Sequence, residues 1–178
     1  MRLIADLHIH SRYSRACSQE LTIENIARWC GKKGIGLVGT GDFTHPLWFA
    51  EMKKMLVPHP SGFYKTRDAE AFVVPTAEIS CIYSRGGKVR RVHIVVAAPT
   101  LEVVARINDR LGEIGNLTAD GRPILGLDAE ELAKIVLDTS SECLVIPAHI
   151  WTPWFSVFGS KSGFDSLEEC FGDLAPHI

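Results

Sequence analysis

Seven side chains able to hold a metal ion or move a proton stand in or beside short apolar runs: His8, His10, Asp42, His45, Glu78, His93 and His149. The first two are the most informative. Leu3 to Leu7 reads as a buried strand that leads straight into His8-Ile9-His10. Side chains two apart on a strand share a face, so both imidazoles point the same way. Neutral imidazole is the commonest metal ligand, and two on one face make half of a metal site. Imidazoles with carboxylates suit zinc, manganese or iron. Seven donors exceed what one tetrahedral ion needs. Two or more ions, bridged by Glu78 or by a water, fit better, and closely spaced ions clamp a phosphate and stabilise its leaving oxygen.

Each residue also has a plainer reading. His93 sits mid-strand, where a hydrogen-bonded core histidine is common. His149 can be a polar strand end, Asp42 can bond loop amides, and His45 precedes Pro46 in a loop. Glu78 is harder to set aside, because an unpaired carboxylate in an apolar strand is costly.

The elements that must position these groups are legible. Thr22 caps a helix whose apolar residues Ile23, Ile26, Ala27 and Cys30 recur at helical spacing, closed by Gly31 and Gly34. Ile35 to Thr40 reads as a buried strand, and Pro46 starts a helix reaching Leu56. Pro58 to Gly62 reads as a loop, Ala71 to Ile79 as a strand with Glu78 near its end. Ser84-Arg85-Gly86-Gly87 is a hairpin turn leading into a strand over Val89 to Ala97 that carries His93. Thr100 caps a helix with Val103, Ile107, Leu111 and Ile114 inward, and Leu117 to Gly126 reads as a loop. Asp128 with Glu131 resembles a capping box. Leu144 to His149 is another buried strand, and Leu167 to Phe171 a last helix. Strands alternating with helices predict a mainly parallel α/β architecture, with a barrel's site at the strands' C-terminal ends.

The chain of 178 residues has the size and composition of one globular domain, 46% hydrophobic and 22% charged. No apolar run reaches membrane-span length, and the first residues do not read as a signal peptide, which predicts a cytoplasmic protein. Five scattered cysteines without a Cys-x-x-Cys pair read as reduced thiols. A net charge of −2 gives no global pull toward nucleic acid. Local features can still supply one. Arg12 and Arg15 follow the His pair, and Lys88, Arg90 and Arg91 line one edge near His93. Trp151, Trp154 and Phe155 follow His149 and can stack a displaced base. A solvated edge and ordinary aromatic packing are the alternatives.

Taken together, the phrases resemble a known superfamily. Asp6-Leu7-His8-Ile9-His10-Ser11 with Tyr13-Ser14 is similar to the first motif of the PHP (polymerase and histidinol phosphatase) proteins. Gly39-Thr40-Gly41-Asp42 resembles the second, Thr76-Ala77-Glu78-Ile79 the third, and Pro147-Ala148-His149 a later one. The resemblance implies a distorted (β/α)7 barrel over residues 1–178, up to three divalent ions, and phosphoesterase chemistry. It implies His8, His10, Glu78, His93 and His149 as catalytic ligands, with Asp42 or His45 beside them, because Phe43 follows Asp42 where the usual second motif reads Asp-His. The superfamily's last Asp-x-His motif is absent, so the chain reads as the N-terminal part of a longer protein with an incomplete ligand set.

Within the superfamily, Leu37 to Pro46, Arg91-Val92-His93 and Thr152-Pro153-Trp154 resemble the endonuclease Q family. That likeness implies hydrolysis of the DNA backbone 5′ of deaminated bases or abasic sites, with damaged DNA as partner, and Arg12, Arg15, Arg91 and Trp154 are the candidate contacts by their charge, ring faces and places beside the proposed ligands. Two rivals remain: a histidinol phosphatase-like enzyme acting on small phosphate monoesters, and a non-catalytic PHP module supporting a polymerase or another partner.

Overall fold

Four helix starts carry side-chain caps. Thr22 accepts a hydrogen bond from Asn25 N–H, Thr100 from Val103 N–H, Asp128 from Glu130 N–H and Ser166 from Glu169 N–H. Each satisfies an amide that the helix itself leaves unpaired. The structure, a computed structural model, describes residues 2–178. In chain order it contains β1 (Ala5–Asp6), α1 (Ile23–Lys33), β2 (Leu37–Gly39), α2 (Pro46–Met55), β3 (Val57–Pro58), β4 (Tyr64–Lys65) and β5 (Phe72–Val74). Then come β6 (Thr76–Arg85), β7 (Lys88–Ala97), α3 (Leu101–Gly112), β8 (Ile124–Leu125), α4 (Ala129–Thr139), β9 (Leu144–Pro147) and α5 (Leu167–Phe171), with a 3₁₀ turn over Gly172–His177.

The architecture is α/β, as expected, but the strands form two open, mixed sheets. One runs β1-β2-β5-β4-β3, the other β8-β6-β7-β9. The first is parallel across β1, β2 and β5, and antiparallel beyond. In the second, only β6 and β8 run parallel. No closed barrel forms among the described residues.

Three departures from the sequence expectations have physical causes. The strand expected to be buried over Leu3 to Leu7 is a two-residue edge strand that pairs only with β2, leaving Ile4 61% exposed. The strand expected over Ala71 to Ile79 is divided at Pro75, which lacks the N–H that a continuous ladder needs. The chain passes there from one sheet to the other, so Glu78 lies near the start of a ten-residue strand rather than near the end of one. The loop expected from Pro58 is the turn of a small hairpin, since β3 pairs with β4 at the sheet edge, a place that tolerates proline.

The predicted β6–β7 hairpin does form. Gly86 and Gly87 both adopt φ near +60 to +70, as a two-residue type I′ turn requires. Thr40 and Thr76 stitch the sheets beside Pro75. Thr40 Oγ1 donates to the Thr76 carbonyl at 3.2 Å and accepts from Thr76 N–H at 3.0 Å, while Gly41 N–H donates to Thr76 Oγ1 at 2.9 Å. Phe43, Trp48, Ile79, Ile94, Ile107, Leu132 and Phe171 are buried in one continuous apolar cluster with the inner faces of α1, α3 and α4. Among the described residues, no helix is long and apolar enough to cross a membrane.

Candidate metal centre

Glu78 is the middle of the site. Its side chain is 1% exposed, and four imidazoles face it. Oε1 lies 2.8 Å from His93 Nδ1, 3.1 Å from His149 Nε2 and 3.3 Å from His8 Nε2. Oε2 lies 3.1 Å from His10 Nε2. The elements explain the convergence. His8 and His10 leave the end of β1 on one side of a sheet edge. Glu78 and His93 stand two cross-strand positions apart on the paired β6 and β7, where Ser80 opposes His93 and Glu78 opposes Val95. His149 follows β9, the other neighbour of β7. The strands' C-terminal ends alone do not assemble the set, because β6 and β7 run antiparallel.

The donor chemistry fits a metal ion. Two groups, His8–His10–Glu78 and Glu78–His93–His149, each bring their ligand atoms within 4.8 Å of one another, and Glu78 belongs to both. Imidazole nitrogens and a carboxylate in so small a space match what borderline divalent ions prefer. This buried cluster can therefore hold a metal ion.

Asp42 and His45, the two alternatives for a further ligand, lie in different surroundings. Asp42 is fully buried, and its Oδ1 is 2.9 Å from His10 Nδ1. Its Oδ2 accepts from Ser11 N–H at 2.6 Å, Ser11 Oγ at 2.7 Å and Ser14 Oγ at 2.9 Å. A carboxylate so placed keeps the His10 proton on Nδ1 and turns Nε2 toward Glu78. Asp42 adopts φ +50 and His149 φ +30, positive values that few non-glycine residues adopt, although Asp and His do so more readily than most. His45 caps α2 outside this cluster. Its ring stacks on Tyr13 at 4.4 Å and burial lowers its pKa.

The electrostatics follow from the same contacts. Burial alone would raise the Glu78 pKa. Hydrogen bonds from His10, His8 and His93 outweigh it and hold the carboxyl well below its usual range. The hydrogen bond to Asp42, then that to Glu78, lifts His10 to about 9, while burial lowers His93. His10 thus carries a proton at pH 7.5 that metal binding through Nε2 must displace. Loading is expected to release about one proton from this residue, read by titration calorimetry in two buffers of different ionisation enthalpy. The raised pKa also gives the metal-free protein a stabilisation that is full below pH 6.5 and is lost as pH rises through about 9. Metal affinity should rise across that window as the stability of the metal-free form falls. Parallel pH trends in the two quantities would contradict this assignment.

The residues expected to meet DNA are scattered around the site. Arg12 pairs with Glu51, which also accepts from Tyr13 Oη at 2.7 Å. Arg15 is largely exposed, 3.9 Å from Asp120. The Arg91 guanidinium lies over the Trp154 ring at 5.5 Å, and Trp151, two residues after His149, is 77% exposed. Two further residues reach the centre without having been expected there, Thr152 inside a phrase already noted and Arg122 outside every motif. Thr152 Oγ1 is 3.2 Å from His149 Nδ1, and Arg122 Nη1 is 3.2 Å from Glu78 Oε2. The run Asp120-Gly121-Arg122-Pro123 has the composition of any surface turn, and a hydroxyl three residues after a histidine is commonplace.

No family model matches the chain. Over 149 residues, 83% of its length, it is 32% identical to an uncharacterised protein of Methanocaldococcus jannaschii, spanning 16% of that protein. Two solved structures are similar over 96% of the chain. One is the lesion-specific endonuclease PfuEndoQ from Pyrococcus furiosus, with 34% identity and a TM-score of 0.81. The other is an endonuclease Q in complex with a 27-mer duplex substrate that has an abasic lesion at the active site, with 35% identity and a TM-score of 0.82. The chain spans 40% of each of those endonuclease Q chains. In fold and in sequence alike, the chain is endonuclease Q-like over nearly all of its length.

Proposed function

We propose that residues 1–178 form one PHP-type domain of an endonuclease Q-like repair enzyme. It hydrolyses the DNA backbone 5′ of deaminated bases or abasic sites, with His8, His10, Glu78, His93 and His149 as ligands of two to three divalent ions, zinc foremost and otherwise manganese or iron. The observation that carries this reading is the convergence of four imidazoles within 3.3 Å of one buried carboxylate, in a chain about one-third identical to an endonuclease Q solved on an abasic duplex. Ions so held supply Lewis acidity toward a phosphoryl oxygen and acidify water.

The chain's own residues do the rest. Glu78 belongs to both ligand groups and holds them at one spacing. Asp42 acts through His10, fixing its tautomer, and Thr152 does the same for His149. Arg15, Arg91 and Trp154 are the DNA contacts, the last offering a ring face to a displaced base. Arg12, tied to Glu51, holds the loop after β1. The two open sheets are walls of the PHP-type barrel. Five unpaired cysteines favour a reducing compartment, the cytoplasm.

Incubating the metal-loaded protein with end-labelled duplexes carrying an abasic site, uracil or hypoxanthine tests the reading. A nick on the 5′ side of the lesion is the expected result, with undamaged duplex left intact. Hydrolysis of p-nitrophenyl phosphate without any nick would point to a monoesterase instead. A metal-loaded protein that cleaves neither would exclude an active endonuclease.

A further inference from the structure

A fixed cation reaches the centre from the turn between α3 and β8. Arg122 Nη1 lies 3.2 Å from Glu78 Oε2, the oxygen that also faces His10 Nε2 at 3.1 Å. Among the described residues it is the one arginine or lysine that pairs with Glu78. A guanidinium keeps its charge at every working pH.

The backbone carrying Arg122 is pinned on both sides. Gly121 N–H donates to the Tyr13 carbonyl at 2.9 Å, and Thr44 Oγ1 donates to the Gly121 carbonyl at 3.3 Å. Arg122 N–H donates to Asp120 Oδ1 at 3.0 Å, and Ser80 N–H to the Pro123 carbonyl at 3.0 Å. Gly121 lies directly on the groups that orient His10. A Cβ there would stand 2.4 Å from Asp42 Oδ2 and 2.6 Å from Ser14 Oγ, so no larger residue fits without moving them. Arg122 is therefore delivered by a segment built against the centre. Its side chain is 37% exposed, and Glu78 takes one of its five N–H donors. The remainder of the fork faces no other hydrogen-bond acceptor among the described residues.

Simple neutralisation of Glu78 is a weak account of this placement. Glu78 takes only one of the five N–H donors of Arg122, so most of the fork would serve no purpose there. Divalent ions at the imidazoles around Glu78 add positive charge that repels a guanidinium unless an anion stands between them. A phosphate group is the anion whose oxygens match both a pair of ions and a planar fork of N–H donors. We infer that Arg122 is a phosphate-binding residue of this centre, gripping one non-bridging oxygen of the phosphodiester and leaving the other to ions that the histidines would hold. The inference rests on the phosphoesterase reading above and names the group that recognises its substrate.

The test uses the whole chain, loaded with zinc, as wild type, Arg122→Ala and Arg122→Lys. Metal content is read by elemental analysis, inorganic phosphate affinity by calorimetry, and nicking on an abasic duplex. Arg122→Ala should keep its metal and bind phosphate about 10- to 100-fold more weakly, the size of a charge-assisted hydrogen-bonded contact. Arg122→Lys should keep its metal and recover only part of the affinity, because a point charge does not replace the fork. Unchanged phosphate affinity in Arg122→Ala overturns the inference. So does metal loss in both variants, which would make Arg122 a support for Glu78, and so does a metal-loaded wild type that binds no phosphate. A wild type that binds phosphate through Arg122 yet nicks no DNA leaves the inference standing and removes the endonuclease reading.

Discussion

Glu78→Gln is expected to strip the protein of stoichiometric metal and, under the proposed endonuclease function, to slow cleavage of an abasic duplex by about 100-fold or more. Groups that merely hydrogen-bond to a metal ligand cost about 10- to 100-fold when removed, and a carboxylate shared by both ligand groups should cost at least the upper figure. The substitution preserves shape and removes only the charge, so loss of metal cannot be put down to a cavity. The metal-free protein should suffer too. His10, held at about 9 by Asp42 and then Glu78, keeps a proton at neutral pH and would face a neutral amide. Removing one partner of a buried charge that has no other costs about 3–5 kcal/mol, and the loss here should be smaller because Asp42 stays against His10. The deficit should shrink as pH rises through about 9 and His10 deprotonates. Elemental analysis with denaturant titrations at pH 7 and 9.5 reads both effects. A Glu78→Gln protein with its full metal complement would remove Glu78 from the centre.

Trp48→Ala should have the largest effect of any change outside the ligand set. Trp48 is fully buried in the first turn of α2, and its Nε1–H donates to the Gly41 carbonyl at 2.8 Å. Gly41 adopts φ +62, and a Cβ there would meet the Ile9 carbonyl at 2.4 Å. The tryptophan thus fills the core and also fastens the turn that aims Asp42 at His10. Truncation of such a side chain costs about 3–5 kcal/mol, and the stranded carbonyl adds about 1–3 kcal/mol. Trp48→Phe restores most of the volume but not the donor, so it should recover stability more fully than metal affinity. If metal affinity follows stability in both variants, Trp48 is packing alone and the hydrogen bond to Gly41 does not position Asp42.

The residues differ in how far the sequence announced their roles. Of the five that meet at the centre, Glu78 was legible because an apolar strand should not bury a carboxylate without partners, and His8 and His10 because His-x-His shows two side chains on one face, whereas His93 and His149 each had a plainer reading and joined the set through the family resemblance. Asp42 was recognisable as a candidate, yet its position facing His10 Nδ1 depends on a left-handed backbone that no periodicity reports. His45 has the right residue type beside the right motif, but the extended residue before α2 sets its ring on Tyr13. Pro75 was visible, but an apolar run on both sides of it reads as one strand until pairing partners are known. The burial expected for β1 failed for a related reason, since an apolar strand reads the same at an edge and in a sheet's middle. Arg122 was beyond reach, because what distinguishes it from the other arginines is the ground it stands on, namely Gly121 against Asp42.

The division of the strand at Pro75 has a mechanical meaning. His8 and His10 hang from the first sheet, Glu78 and His93 belong to the second, and His149 follows the second sheet's outer strand. The donors therefore bridge a seam, sewn at one end by Thr40 and Thr76. Metal sites tolerate displacements of only about 0.2 Å in their bonds, whereas two sheets sliding on an apolar core meet no such sharp limit. On the proposed ligand set, ion affinity would therefore act as a gauge of sheet alignment. A repacking of Phe43 or Ile79 that leaves every donor intact still reaches the centre, by turning one half of its ligand set against the other.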